Sequence, residues 1–335
     1  MNRIRIAVLD TGIAKECVDD SVKLRKCIYF DHFDDRLVIT DSKDDYNGHG
    51  TLCINTMKRI CPDLEIYSVD MLGISGCTSN KVFLAALEYA ETLDVDIISI
   101  CASCVVNSHQ EQLRKVCQRI SDSGKLIIAS VENGKQVSSI ADFDTVIGVI
   151  GDVMGGYSYT FNRNDEIQMK CDYLPHIVRG KNGLFSKFRG NSRATAIATG
   201  IVARFLADNV NVKTDVENIL EANQTSADKI YFSKLEDDCE IPFDEETENS
   251  LLDTDEDYIR LIFLLCEFFC CEDHNVLRTS KLLLLDDHRM MKNINGLLSL
   301  INERFAVEID DVYMPDLNWA YRIYIKYIKS DRGAI

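Results

Sequence analysis

Along the first half of the chain, short runs of branched and aliphatic residues alternate with stretches whose apolar positions recur every three or four residues. The runs are Arg3–Leu9, Leu64–Leu72, Val95–Ile100, Lys125–Val131 and Thr145–Ile150. Between them, Ile54, Met57 and Ile60 share one helical face, Lys81–Leu93 stacks Ala85, Ala86 and Ala90, and Gln110–Ser123 has the same period. Strands that are apolar on both faces, each followed by an amphipathic helix, predict an α/β fold: a doubly wound parallel sheet with helices on both faces. A long helix over Ala194–Asp208, apolar from Ile197 to Leu206, and a shorter one near Val216–Glu221 close this unit, so residues 1–225 form the first domain.

The pattern then changes. Residues 226–256 carry the acidic clusters Glu236-Asp237-Asp238-Cys239-Glu240 and Asp244-Glu245-Glu246-Thr247-Glu248, which read as a solvated linker. Helical periods return over Asp257–Cys271, Met290–Phe305 and Asn318–Ile328, with a short apolar piece at Leu282–Leu285. Residues 257–330 are therefore expected to be a small C-terminal helical bundle.

Composition narrows the partners. A formal charge of −17 over 335 residues argues against binding nucleic acid through its phosphates and favours basic peptides, or no particular class, as partners; a peptide or protein substrate, basic at P1, is the expected ligand. The 13 cysteines are odd in number and sit in apolar segments at no framework or zinc spacing, which points to free thiols in a reducing, cytoplasmic setting. The most apolar stretch, Leu261–Cys271, is too short and too interrupted by Glu267 to span a bilayer, so no membrane role is expected. No metal and no cofactor are expected either.

Chemistry-bearing residues gather at one edge of the expected sheet. Asp10 ends the first strand in Asp10-Thr11-Gly12. His49 stands between glycines in Asn47-Gly48-His49-Gly50-Thr51, at the start of a helix. Asn133 follows the strand that ends near Val131, and Ser192 opens the long helix in Gly190-Asn191-Ser192-Arg193-Ala194-Thr195. Each alone reads as a turn or a helix cap. Together they supply an orienting carboxylate, a base, an oxyanion donor and a nucleophile, because the carboxyl ends of parallel strands converge where such sites form.

In these blocks the chain resembles the subtilisin-like serine peptidases, the subtilases, over residues 1 to about 225. The resemblance implies that Asp10 orients His49, that His49 is general base and then acid, that Ser192 attacks, and that Asn133 with the Ser192 backbone N–H forms the oxyanion hole. It also implies that Cys101-Ala102-Ser103, in the place of the usual Ser-Leu-Gly, and Ser130-Val131-Glu132 bind a peptide as an added β-strand.

Several positions depart from the family pattern. Asn191 stands for the usual Thr before the nucleophile, Arg193 for the Met after it, and Ile197 or Ala196 for the following Pro. Glu132 replaces a Gly; either its carboxylate faces the P1 pocket and selects Lys or Arg, or it turns to solvent. Met1 precedes Asp10 so closely that no self-cleaved propeptide is expected, and the span from His49 to Pro62 is too short for an inserted calcium loop.

The region from Tyr258 through Asp310 resembles a degenerate acyl carrier protein. Asp287-His288-Arg289-Met290-Met291 lacks the serine that would carry a phosphopantetheine, so the resemblance implies recognition rather than carriage. The expected function is a serine endopeptidase, with the processing of a leader from a ribosomally made peptide as the specific role and the C-terminal domain as its partner-binding part. General intracellular proteolysis and a non-catalytic peptide-binding scaffold remain the alternatives.

Overall fold

The computed structural model describes residues 3–31, 36–41, 43–102, 109–132, 140–154, 156–208, 213–224, 243–285 and 289–330. The chain divides into two compact units: Met1–Leu174, Arg179–Gly183 and Phe188–Ile230 form the first, and Pro175–Val178, Leu184–Lys187 and Tyr231–Ile335 the second.

The first unit is built on a nine-stranded sheet in the order β3-β2-β4-β1-β5-β6-β7-β9-β8. Its strands are β1 (Ile4–Asp10), β2 (Val22–Asp31), β3 (Arg36–Thr40), β4 (Leu64–Asp70), β5 (Ile97–Ile100), β6 (Leu126–Ser130), β7 (Ile147–Asp152), β8 (Tyr159–Phe161) and β9 (Met169–Asp172). All neighbours pair in parallel except β3 and β8, the two edge strands, which pair antiparallel.

Hydrophobic runs appear where the sheet is covered on both faces. Along β5, Ile98 and Ile100 pack with Val82, Phe83 and Leu113, from α2 (Asn80–Thr92) and α3 (Gln110–Asp122). Alternation turns Ser99 the other way, where its hydroxyl meets Thr199 Oγ1 at 2.8 Å on α4 (Asn191–Ala207). That second face also carries α1 (His49–Ile60). Gly200 of α4 has room for no side chain, because an added Cβ would lie 2.9 Å from Ile60 and 3.2 Å from the Met57 carbonyl.

The sequence pattern missed the edges. The acidic stretch before His49 holds β2 and β3, and the polar segment after Ile150 holds β8 and β9, strands of three or four residues too short to show a period. The helix α5 (Lys213–Asn223) lies where the shorter closing helix was expected.

The second unit corrects two expectations. It is not helical throughout, since β10 (His176–Arg179) and β11 (Phe185–Phe188) form a sheet with β12 (Asp311–Tyr313) in the order β11-β10-β12. Nor is 226–256 wholly a linker. Asp244 caps α6 (Glu245–Thr254), its side chain accepting the Thr247 N–H at 3.0 Å, and Glu248 is buried on that helix. Glu248 accepts from Tyr258 Oη at 3.0 Å and from the Arg278 guanidinium at 2.7 and 2.8 Å, so a residue read as solvated belongs to a core pair.

The remaining helices are α7 (Glu256–Phe269), α8 (His274–Thr279), α9 (Arg289–Lys292), α10 (Ile294–Phe305) and α11 (Ala320–Ile323). They bury Tyr258, Leu265, Leu297, Ile301 and Tyr324 among others, with Ile177 and Phe185 of the hairpin in the same core. Asp287 and His288 of the carrier-like stretch lie outside the described residues. Among the described residues, no helix is long and apolar enough to cross a membrane.

Candidate active site

Asp10 is the last residue of β1, and β1 lies between β4 and β5, where the chain stops adding strands on one side of the sheet and starts on the other. This is the place at which open α/β sheets leave a crevice beyond their carboxyl ends. The Asp10 carboxylate is wholly buried. Its Oδ1 accepts the Thr11 N–H at 2.8 Å and lies 2.7 Å from His49 Nδ1.

The turn carrying His49 is held by groups that an inspection of the histidine motif alone passes over. Buried Asp45 accepts the Gly48 N–H at 2.7 Å through Oδ1, and the Thr51 N–H at 3.0 Å and hydroxyl at 2.7 Å through Oδ2. Gly50 donates to Thr11 Oγ1 at 2.8 Å, and a Cβ there would stand 2.3 Å from the Gly12 carbonyl, so only glycine lets α1 begin this close to β1. Phe188 meets the His49 ring edge-on, with centroids 5.7 Å apart. The signal for Asp45 was present, an Asp placed to cap a helix start, but it stood among other acids in a loop-like stretch.

Burial alone would pull the His49 pKa down, yet the charge and hydrogen bond of Asp10 outweigh it and raise it to about 9. The ring is 31% exposed, so the imidazole is tied to a buried anion on one side and open on the other.

Ser192 is half-buried in the first turn of α4. Gly190 precedes it with φ 88°, a backbone conformation that side-chain-bearing residues avoid, and its carbonyl accepts the Ala194 N–H at 3.1 Å. The packing of Gly200 against Met57 relates the two helices. Each of these residues lies eight positions beyond Ser192 and His49 respectively, so α4 and α1 are in direct contact about two turns along from the two candidate residues.

The residues flanking Ser192 are scaffold. Asn191 Oδ1 accepts the Gly151 N–H at 2.8 Å, and its Nδ2 donates to the Val131 carbonyl at 2.9 Å, joining α4 to the ends of β6 and β7. Arg193 is wholly buried, and its Nη1 donates to Asp172 Oδ2 at 2.8 Å and to the Asp172 carbonyl at 3.0 Å. Its Nε and Nη2 have no acceptor among the described residues.

The expected peptide-binding residues divide. Val131 is buried, its N–H donates to the Val149 carbonyl at 3.0 Å, and its own carbonyl accepts from Asn191 Nδ2 at 2.9 Å. Ser130 is also buried, with its hydroxyl on the Val131 carbonyl at 3.0 Å. Cys101 is buried with its thiol 3.5 Å from Ser99 Oγ, whereas Ala102 and Glu132 are half-buried at the ends of their strands. Ser103 and Asn133 lie outside the described residues.

The arrangement can hold an imidazole in one orientation beside a buried anion while leaving part of the ring open. Comparison with known proteins bears on this geometry. Residues 2–238 match the model of the Subtilase family, Peptidase_S8. Subtilisin DY of Bacillus licheniformis is 22% identical over 255 residues, spanning 69% of this chain and 87% of that protein. Among solved structures, sphericase superposes with a TM-score of 0.54 at 19% identity, covering 65% of this chain and 82% of that one. A cold-adapted subtilisin-like serine proteinase does so with a TM-score of 0.52 at 16% identity, covering 68% and 85%. At these identities the structural likeness speaks for the fold.

Proposed function

The chain belongs to the subtilase family of serine peptidases, and from that premise we propose that it is an endopeptidase in which Ser192 attacks the scissile carbonyl, His49 takes and returns the proton, and Asp10 orients the imidazole. The observation that carries this reading is the 2.7 Å contact between His49 Nδ1 and the buried Asp10 carboxylate. It ties Nδ1 of the ring to a buried anion and leaves Nε2 as the nitrogen that can act as the base.

In the proposed cycle, Nε2 accepts the Ser192 proton as Oγ bonds to the carbonyl carbon. Asp10 stabilises the imidazolium, and the same proton passes to the leaving amine; water then repeats the sequence on the acyl-enzyme. Asn133 is assigned as the side-chain oxyanion donor on sequence grounds. Loss of such a donor costs about 3–4 kcal/mol in subtilisin, where this role was measured. No cofactor enters the reaction.

The substrate is a peptide or protein laid along Ala102 and the residues after β5. The narrower role proposed is the removal of a leader from a ribosomally made peptide, with the second unit as the recognition element. Its support is a groove on that unit between α7 and α10, lined by Phe263, Leu264, Leu300 and Phe305 together with the charged side chains of Arg260, Glu267 and Arg304. A cytoplasmic location is proposed from the placing of Cys27, Cys53, Cys61, Cys101, Cys117 and Cys171 as buried free thiols.

The deciding experiment is labelling by a fluorophosphonate probe, followed by mapping of the modified residue. Modification of Ser192, with cleavage of a peptide library by wild type and none by Ser192→Ala, is the expected result. A folded wild-type chain that neither labels nor cleaves would be a peptide-binding scaffold.

A further inference from the structure

The two most exposed large apolar side chains among the described residues border a single turn, the one that carries His49. Tyr46 is 62% exposed and Ile74 is 76% exposed. Asn47 joins their segments: its Nδ2 donates to the Ile74 carbonyl at 3.0 Å, and its Oδ1 accepts the His49 N–H at 3.2 Å. Apolar residues exposed singly are ordinary, but two brought to the rim of one histidine offer a face to a bound chain.

A cation lies over that face. Lys181 Nζ stands 5.1 Å from the centre of the Tyr46 ring, within the range at which an aromatic face attracts an ammonium. The lysine opens the short turn Lys181–Gly183, which is fastened to the first unit at two points. Asn55 Nδ2 on α1 donates to the Arg179 carbonyl at 2.6 Å, and Glu16 accepts the Asn182 N–H. Glu16 also feels the charge of Lys181, but no ion pair joins Lys181 to a carboxylate among the described residues. In a chain of net charge −17, an ammonium held on an aromatic ring with N–H donors to spare is suited to an incoming carboxylate.

Its place along the substrate follows from the proposed chemistry. His49 returns its proton to the departing amine, so the half of the peptide that leaves must pass the imidazole. The acyl half is assigned to Ala102 and the residues after β5, which leaves the His49 turn for the departing half. Tyr46 precedes His49 by three residues, a span of at most about 11 Å, which an extended substrate also covers in about three residues.

We propose that Lys181, stacked on Tyr46, is a specificity determinant for the departing half of the substrate, pairing with an Asp or Glu side chain within the first three residues after the scissile bond. The assignment rests on His49 and Ser192 acting as proposed above.

The test uses the full chain and peptides that share one acyl half and have amidated C-termini. At each of the first three positions after the scissile bond they carry Glu, Gln or Lys. Each protein's kcat/KM values are taken relative to its own hydrolysis of a peptidyl coumarin amide with the same acyl half and no residue beyond it. Wild type is expected to favour Glu over Lys at one of these positions by roughly three- to tenfold, the size of a partly exposed charge interaction, and to lose the preference at high salt. Lys181→Glu should invert the order and Lys181→Gln should flatten it. Tyr46→Phe should keep the preference, whereas Tyr46→Ala, which frees the ammonium, should weaken it. The same Glu-to-Lys ratio in wild type and Lys181→Glu, with cleavage otherwise normal, overturns the inference. A folded wild type that hydrolyses neither the coumarin amide nor any peptide overturns the peptidase reading, and this assignment falls with it.

Discussion

Two carboxylate–cation pairs stand at the carboxyl edge of the first unit's sheet, and they are finished in opposite ways. Asp10 and His49 leave the imidazole 31% exposed, while Asp172 and Arg193 are at 0% on both sides. In the first pair a buried anion holds a group that can still reach another molecule. In the second, both charges are sealed and can only hold α4 against β9. What separates chemistry from scaffolding here is access: a buried charge pair costs desolvation, and only one with an open side can return that cost as catalysis.

The largest test of this contrast is Asp10→Asn. With the tautomer no longer held, kcat should fall about 10⁴-fold while the fold persists. The pH dependence of kcat/KM is the second readout. In wild type, activity should rise through an inflection well above 6.5 and toward about 9, because hydrolysis needs the neutral imidazole. In Asp10→Asn only burial remains and the inflection should drop below 6.5. An unshifted inflection would place the charge of Asp10 outside the control of His49.

Next in size is Arg193→Met, which leaves Asp172 buried without its cation. Denaturant unfolding should show a loss of about 3–5 kcal/mol, whereas the protein that remains folded should keep the wild-type pH inflection. The double variant Arg193→Met/Asp172→Asn should be less damaged than the sum of the two single changes, a coupling that a thermodynamic cycle reads directly. Additive losses would mean that the two side chains do not act as a pair.

A smaller effect follows from linkage. The raised pKa of His49 means that the folded state holds its proton more tightly than the unfolded chain. The resulting stabilisation is fully present below pH 6.5 and disappears as pH rises through about 9. Melting temperature against pH should show this fall in wild type and not in His49→Asn. The smallest expected change is at the substrate: Glu132→Gln should lower cleavage after Lys or Arg relative to apolar residues, and an unchanged ratio in a peptide-library assay removes Glu132 from the P1 pocket.

Local features of the chain made much of this site legible. Asp10 ends a run of apolar residues, His49 sits between glycines at a helix start, and Ser192 opens a helix apolar enough to be buried; each is written within a few neighbouring residues. Less could be read where the partner is remote. Nothing in Asn191-Ser192-Arg193 announces Asp172, which ends a four-residue strand, or the Val131 carbonyl that Asn191 occupies. The acids of 244–248 looked solvated because Arg278 and Tyr258, which bury Glu248, lie beyond another helix boundary.

The amino-acid sequence by itself determined the alternation of strand and helix, the family, and the identities of the residues at the sheet's edge, because period, turn chemistry and motif are properties of adjacent residues. Only the tertiary structure decided that the imidazole lies 2.7 Å from Asp10, that Arg193 is sealed against Asp172, and that the hairpin before Ser192 pairs with a strand near the chain's other end. Those are matters of distance and desolvation. They are set when elements far apart in the chain pack together.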